Sequence, residues 1–230
     1  MTAPATPPTV SLYGHWICPY VSRVAFALAE RDIPYDEVDV PPSGVRPEGF
    51  TLPPEFLEHS PRREIPMVRV GGEYLADSIP ILLWLEDRFA ERPLLPPAGP
   101  DREHVIDRMS WLDERLFGPM VGVYYGTEPG RIDRAAAALA SALDELDGWL
   151  TDRPWSGGEH PTLAEAVMVP LYVRLDGLRR LGFEQPLPVR VDEHRRRTAE
   201  LDGWPAVAWS TDQTDELVGR FTEYRRRALA

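Results

Sequence analysis

The spacing of hydrophobic residues predicts alternating strands and helices over the first ninety residues. Strands are indicated by short apolar or alternating runs, and helices by apolar side chains at every third or fourth position. In chain order, the predicted elements are a strand at 10–13, a helix at 21–30, a strand at 34–40, a hairpin at 66–70 and 73–75, and a helix at 78–89. The proline- and glycine-rich residues 41–60 predict a long loop with room for one short helical turn.

Beyond residue 90 the pattern becomes almost entirely helical. The helices predicted there are 101–125, 130–150, 162–181, 192–201 and 212–227. Thr162 and Glu165 have the spacing of a capping box, which we interpret as a structural helix start that carries no chemistry. Because residues 91–100 are dense in proline, the predicted organisation is a loose tail at 1–8, an α/β domain at 9–90, a linker at 91–100 and a helical domain at 101–230.

Composition narrows the class of partner. The 230 residues are 43% hydrophobic, which supports a sizeable core, and the net charge of −12 argues against a nucleic acid or an anionic membrane as partner. All 25 basic residues are arginine, which excludes Schiff-base chemistry through a lysine amine. A membrane-spanning run and a leader-like pattern in residues 1–8 are both missing from the sequence. The lack of both patterns, together with a single unpaired cysteine, predicts a cytoplasmic location.

The single cysteine, Cys18, lies at a predicted strand-to-helix junction and is followed by Pro19, which suits a first helical turn. A helix N-terminus favours negative charge, so we expect the pKa of the thiol to be lowered there. The alternative is a small buried hydrophobic residue. With one cysteine, an internal disulfide and a cysteine-only metal site are excluded, and no metal is expected. Val21 replaces the second cysteine of a C-x-x-C pair, so redox chemistry would need an external thiol.

Three separated motifs give the chain a recognisable resemblance. They are Cys18-Pro19-Tyr20, Glu64-Ile65-Pro66-Met67 and Asp77-Ser78, and they precede the proline-dense break and the helical region. In this order and spacing, from residue 10 to about 227, the chain resembles the cytosolic glutathione transferase family. The motif Trp16-x-Cys18-Pro19-Tyr20-x-x-Arg23 is most similar to the cysteine-type, omega-like group. The fold implied is α/β plus all-α, a thioredoxin-like N-terminal domain followed by a helical bundle.

The resemblance also implies a thiol-cofactor site. The Ile65–Pro66 bond is expected to be cis, with the backbone of Ile65 pairing with a peptide-like ligand. Asp77 would meet the ammonium group, and Ser78 the carboxylate, of the amino-acid end of glutathione. Where many members have a lysine for the glycyl carboxylate, Arg63 or its neighbour Arg62 would substitute. Each residue has a plainer interpretation: a strand-starting proline, a helix N-cap, a solvated loop. Asp77 also replaces the usual Glu or Gln, so another low-molecular-weight thiol remains open as cofactor.

An acceptor pocket is expected between the two domains. Trp111 is interpreted as core, Tyr13 as buried in its strand, and Arg23 as an anchor of the first helix through a salt bridge. His15 is either exposed or a proton partner of the thiol. The candidate lining residues are Tyr20, Met120, Tyr124, Tyr125 and Trp209.

The leading functional prediction is a glutathione-type thiol transferase in which Cys18 forms a mixed disulfide, giving thiol–disulfide exchange or reductive deglutathionylation. Its partners would be a small thiol and an electrophilic or disulfide substrate, and the resemblance implies a homodimer. Two alternatives stay open. One is a thiol-dependent enzyme that conjugates, isomerises or cleaves an ether in a metabolic pathway, and the other is a binding module of the same fold without catalysis.

Overall fold

Alternating strands and helices in the first ninety residues build a small mixed sheet with helices packed on it. The computed structural model describes residues 9–229, apart from the side chain of residue 129, so the predicted tail at 1–8 and residue 230 lie outside the described part. The elements are β1 (Val10–Gly14), α1 (Pro19–Glu30), β2 (Tyr35–Asp39), α2 (Pro54–His59), β3 (Met67–Val70), β4 (Glu73–Ala76) and α3 (Ser78–Arg88). The short turn expected in the long loop is helix α2.

The sheet has the order β2-β1-β3-β4. Strand β1 runs parallel to β2, whereas β1 with β3 and β3 with β4 are antiparallel. The parallel pair needs a crossover, which α1 supplies, and the antiparallel pair closes through the turn at Gly71, where φ is +63°. This is the predicted thioredoxin-like arrangement.

The rest of the chain is the predicted helical domain. Its helices are α4 (Pro100–Leu112), α5 (Gly118–Tyr125), α6 (Pro129–Trp149), α7 (Leu163–Val173), α8 (Leu175–Leu181), α9 (Val189–Thr198) and α10 (Thr211–Ala228). The capping box of Thr162 and Glu165 opens α7 as predicted. Within residues 9–229, no helix has both the length and the apolar composition needed to cross a membrane.

Two predicted helices are interrupted. The helix expected at 101–125 changes to π-helical geometry over Asp113–Phe117, just before Pro119, which has no N–H to bond the preceding turn. The helix expected at 162–181 divides at Arg174, four residues after Pro170. Both interruptions lie against the N-terminal domain, and each presents an ionic side chain, Asp113 or Arg174, toward it.

Candidate active site

Cys18 lies at the N-cap of α1, directly after the loop that leaves β1. Its backbone N–H donates to the His15 carbonyl at 3.0 Å, and its carbonyl accepts from the N–H of Ser22 at 3.3 Å. The loop turns tightly because β1 ends at Gly14, where a Cβ atom would lie 2.6 Å from a methyl group of Val21. The sequence therefore places the thiol at the start of the helix, as predicted.

The predicted thiol-site residues come together around Cys18. They line one cavity of about 480 Å³ whose wall also includes Tyr20 from α1 and Asp113 from the helical domain. The predicted residues on that wall are Cys18, Arg63, Ile65, Pro66, Asp77 and Ser78. Three separate segments of the chain, α1, the loop before β3 and the start of α3, thus meet at one place.

The environment of the Cys18 thiol differs from the sequence-based expectation. Cys18 is only 8% exposed, and its thiol donates a hydrogen bond to the carbonyl oxygen of Ile65, which lies 3.8 Å from Sγ. Burial raises the pKa of Cys18, while the N–H groups of Val21 and Tyr20 and the charges of nearby arginines act in the opposite direction. The prediction of a lowered pKa is therefore wrong, because desolvation of the thiol outweighs the effect of the helix N-terminus.

The Ile65–Pro66 peptide bond is cis, as the resemblance implied. The carbonyl of Pro66 accepts from the N–H of Asp77 at 3.2 Å, so the loop before β3 is tied to the start of α3. The carbonyl of Ile65 faces the thiol across the cavity. The backbone next to Cys18 is thus fixed by the sheet.

Asp77 and Ser78 stand at the N-terminus of α3. Asp77 has a positive φ of 81° and occupies the N-cap position, but its side chain makes no capping hydrogen bond. Its carboxylate is about half exposed and lies 3.8 Å from Nη2 of Arg62. Ser78 is buried, and its hydroxyl accepts from Nη1 of Arg23 at 3.2 Å. A helix-capping role therefore does not account for the Asp77 side chain.

Two loop arginines border the same cavity. Arg62 is paired with Glu64 at 3.0 Å. Arg63 has a positive φ of 54° and an exposed side chain, and it makes no ion pair within residues 9–229. Of the two candidates, Arg63 has the charge available for an anion.

Arg23 is the predicted salt-bridge anchor, and it does more than join α1 to its neighbour. Its buried guanidinium lies 2.6 Å from the Asp113 carboxylate in the π-helical segment and 3.6 Å above the ring of Phe117. Since it also bonds Ser78, one side chain connects α1, α3 and the helical domain. The link to Ser78 could not be predicted from spacing alone.

The five acceptor-pocket candidates do not lie together. Tyr20 lines the Cys18 cavity and is 36% exposed. Met120 and Tyr124 are buried in the core instead, because α5 packs under α6 and α10, with Tyr124 stacked on Phe221; the expectation that they line an open pocket is corrected. Tyr125 is half exposed at a separate cavity of about 360 Å³.

The fifth candidate, Trp209, lines another cavity of about 320 Å³. Trp16 packs edge-on against it, with ring centres 5.2 Å apart, and His15 lines the same cavity. His15 accepts through Nδ1 from the N–H of Ile17 at 3.2 Å and is not part of the wall around Cys18, so a proton-transfer role gains no support. Tyr13 is buried as predicted and bonds Glu55; burial and this carboxylate raise the pKa of Tyr13 to about 12.

One residue important to the site was missed, and one core interpretation agrees with the structure. Trp111 is partly buried against Trp149, which agrees with its interpretation as a core residue. The missed residue is Arg174, which reaches the Cys18 loop from the same helical domain, and nothing in the motif spacing indicated this contact. The signal available was one arginine inside the mostly apolar stretch from 163 to 178. Among residues 9–229, no group of three His, Cys, Asp or Glu side chains is arranged to hold a metal ion.

Comparison with known proteins agrees with the geometry. Residues 17–88 match the glutathione S-transferase N-terminal domain family. A probable maleylacetoacetate isomerase 2 from Drosophila melanogaster is 33% identical over 218 residues, covering 89% of each chain. The chain belongs to the glutathione S-transferase family. A probable glutathione S-transferase of rice, the chloroplastic DHAR2, is 28% identical over 156 residues, and this chain spans about half the length of that relative (50%).

Solved structures of this family share the fold over nearly the whole chain. Rice GST1, in complex with glutathione, superposes with a TM-score of 0.81 at 21% identity, covering 97% of this chain and 99% of that one. An omega glutathione transferase, 3C, from Trametes versicolor gives 0.80 at 20% identity, covering 98% and 94%. Because these sequences are only 20–21% identical to this chain, the similarity supports a shared fold and nothing more specific.

Proposed function

We propose that this glutathione S-transferase family member is a glutathione-dependent thiol transferase whose Cys18 reacts through a mixed disulfide. The observation that carries the proposal is the meeting of the only cysteine of the chain with Ile65, Asp77, Ser78 and Arg63 on one cavity wall. A cavity of about 480 Å³ lies within the range that small-molecule sites occupy.

The charges on the wall suit a peptide with an amino-acid head. The Asp77 carboxylate, free of a capping bond, can accept from an ammonium group, and the N-terminus of α3 at Ser78 favours a carboxylate. Arg63 is available for a second carboxylate at the other end of the ligand. Glutathione has these groups in this order, and another low-molecular-weight thiol with the same charges would fit as well.

Thiol–disulfide exchange can proceed with Cys18 as the only protein thiol. The Cys18 thiolate attacks the glutathionyl sulfur of a mixed disulfide; a Cys18–glutathione disulfide forms and the substrate leaves as its thiolate. A second glutathione thiolate then attacks the glutathionyl sulfur on Cys18, releasing glutathione disulfide and the Cys18 thiolate. In the net reaction the glutathionylated substrate and one glutathione give the free substrate thiol and glutathione disulfide, so the substrate sulfur is reduced while the sulfur of the incoming glutathione is oxidised. No second cysteine of the protein is needed.

The acceptor is proposed to approach past Tyr20. That ring lines the Cys18 cavity and is partly exposed, and the charge of Cys18 contributes to raising the pKa of both Tyr20 and Tyr125, after burial. Trp209 belongs to the cavity shared with Trp16, so it would contact only an acceptor that extends around the β1–α1 loop.

A second function, isomerisation, is favoured by the isomerase match over 89% of the chain. There the thiolate of glutathione would add to an electrophilic carbon, rotation would follow, and the same thiolate would leave, with no net redox change. Cys18 would then position the thiol without bonding to it. The two functions differ in one variant: Cys18→Ser abolishes thiol exchange but leaves isomerisation measurable.

Two further expectations remain proposals. A homodimer is supported by membership of a family in which dimers are typical, and light scattering on the purified protein tests it. A cytoplasmic location is supported by the single thiol, which needs a reducing compartment to stay free. Fractionation of cells that express the protein tests the second proposal.

A deglutathionylation assay tests the leading function. The protein is given a glutathionylated peptide and excess glutathione, and release of the free peptide is followed. We expect turnover by the wild-type protein and loss of at least ~100-fold in Cys18→Ser, whose hydroxyl is a far weaker nucleophile. Equal turnover by both proteins would show that Cys18 does not react covalently.

A further inference from the structure

Arg174 is a fully buried cation at the boundary between the two domains. It lies between α7 and α8 with no exposed surface, and its guanidinium stacks 4.4 Å from the ring centre of Trp209. Nη1 donates to the carbonyl of Pro170 at 3.2 Å in its own domain. Nη2 crosses to the other domain and donates to the carbonyl of Ile17 at 3.1 Å and to the Ser22 hydroxyl at 3.4 Å.

These two acceptors enclose the thiol-bearing turn. Ile17 directly precedes Cys18, and the Ser22 hydroxyl donates in turn to the carbonyl of Cys18 at 3.3 Å. Arg174 therefore holds both ends of the segment 17–22 through one guanidinium. A displacement of this side chain would move the backbone on both sides of the sulfur.

The charge of Arg174 has no carboxylate to balance it. Within residues 9–229 it forms no ion pair with Asp or Glu, and its Nε is buried without a hydrogen-bond partner. Burial lowers the pKa of Arg174 to about 10, so the group still carries its charge at neutral pH. A buried cation whose hydrogen bonds go only to carbonyl and hydroxyl oxygens is costly unless an anion comes close.

Two acidic groups act on this charge, those of Tyr124 and Cys18. Burial raises the pKa of Tyr124 well above that of an ordinary phenol, so this hydroxyl stays neutral near neutral pH. Cys18 is therefore the group beside Arg174 that can become an anion.

The other charged side chains near Cys18 either form an ion pair or are exposed to solvent on the wall of the Cys18 cavity. Arg23 also acts on the thiol, but its charge is opposed by Asp113 at 2.6 Å. The remaining charged side chains on the cavity wall are Arg62, Arg63, Glu64 and Asp77. These are exposed and screened by solvent, whereas Arg174 acts through the protein interior.

We propose that Arg174 is a positioning residue for Cys18: it fixes the turn that carries the sulfur and supplies, from the helical domain, the positive charge that balances the thiolate. The inference rests on the proposed function in that it takes the thiolate as the reacting species. The separation of α7 and α8 at this residue brings the guanidinium to the domain boundary.

The test is the pH profile of Cys18 alkylation. Iodoacetamide reacts with the thiolate, forming a sulfur–carbon bond as iodide leaves, and since the chain has one cysteine the intact mass reports Cys18 alone. In Arg174→Gln we expect the apparent pKa to rise by about one unit and alkylation at pH 7 to slow about tenfold. Arg174→Lys, which keeps the charge, should shift less. Arg180→Gln, which removes an exposed arginine of α8 paired with Asp215, should match the wild type.

A second pair of variants keeps the test decisive should Arg174→Gln fail to fold. Cys18→Asp and Cys18→Asn have nearly the same shape and differ in charge. If Arg174 balances an anion at this position, the Asp variant melts no lower than the Asn variant at pH 7. A markedly lower melting temperature for the Asp variant overturns the proposal, because a carboxylate there would be buried without a counter-ion.

The outcomes separate this inference from the proposed function. A wild-type alkylation profile in folded Arg174→Gln overturns the role of Arg174, whatever the deglutathionylation assay shows, because iodoacetamide needs no glutathione. A shifted profile in a protein without thiol-exchange activity supports the role of Arg174 and removes the proposed reaction.

Discussion

At the scale of single residues, the chemistry of Cys18 depends on two opposing effects. The helix start and nearby arginines favour the thiolate, and of these two the helix start is the effect that the sequence shows. The loss of water around a residue only 8% exposed favours the thiol, and it is the larger effect on the pKa. Burial of this kind depends on which segments cover the site, and those come from residues far along the chain.

The raised pKa gives a pH dependence of Cys18 reactivity. We expect the alkylation midpoint of the folded protein to lie above that of the same thiol in the chain unfolded by guanidinium chloride, which serves as the matched control. Because the folded pKa is above the unfolded one, the stability linked to this thiol is complete at lower pH and declines as pH rises through the folded pKa. A lower midpoint in the folded protein would refute this.

Asp77 gives a second prediction at this scale. Replacing Asp77 by Asn removes the charge proposed to meet the ammonium group of glutathione, at a partly exposed position. We expect the KM for glutathione to rise about 3- to 10-fold with little change in kcat, as for loss of a charge-assisted hydrogen bond near solvent. Steady-state kinetics measure it, with Glu73→Gln on β4 as the control. An unchanged KM would remove Asp77 from the site.

At the scale of elements, two helices begin with the same capping pattern in different surroundings. At α10 the box of Ser210 and Gln213 is exposed to solvent. At α7 the Glu165 carboxylate is fully buried; it accepts from Thr162 and Ser156, and also contacts Nε2 of His194 at 3.2 Å. The same local motif is therefore an isolated cap in one place and the centre of a buried polar network in the other.

The two boxes should differ in their effect on stability. Glu165→Ala leaves several buried polar groups unpaired and should lower the free energy of unfolding by about 3–5 kcal/mol. Ser210→Ala should cost about 1 kcal/mol. Urea denaturation of both variants gives the comparison, and equal losses would contradict it.

Glu165 also gives stability a dependence on acid. Burial alone would raise its pKa, but the hydrogen bond and charge of His194, with Ser156 and Thr162, lower it below the usual value. The contribution is therefore present above the pKa of an unfolded glutamate and is lost as pH falls through the lower, folded value. Glu165→Ala should show less loss of stability on acidification than the wild type.

The order of the elements was predictable because each depends on local periodicity, and the three motifs around Cys18, Pro66 and Ser78 were predictable because spacing along the chain carries them. The interruptions at Asp113 and Arg174 were not, since they are set by contacts with the other domain. The same reason explains the acceptor residues. Both members of the tyrosine pair contact Phe221 of α10, and only the way α5 packs against α6 and α10 decides that Tyr124 is the buried one.

At the scale of the whole molecule, the two domains are joined by buried polar contacts as well as by apolar packing. Besides the Arg174 bonds, the Glu30 carboxylate of α1 accepts from the N–H of Gly203 at 2.7 Å. Helix α1 packs against α7 on one side and α3 on the other. Separating the domains would break these buried bonds, so helix α1 is part of the core of both domains.

Cooperative unfolding follows from this arrangement. We expect one transition in urea, with far-UV circular dichroism and tryptophan fluorescence giving coincident curves, because exposing the boundary destabilises both domains together. Glu30→Gln should shift the midpoint downward while the curves stay coincident. Two separated transitions in the wild-type protein would show that the domains are independent.

The central claim is that Cys18 forms a disulfide with glutathione, and intact-mass measurement tests it most directly. The folded protein is incubated with glutathione disulfide at pH 8 and analysed before and after addition of reduced glutathione. We expect the mass of one glutathionyl group to be gained, then lost on reduction, and no gain in Cys18→Ser. Absence of the adduct in the wild-type protein, or its presence in Cys18→Ser, would contradict the mechanism.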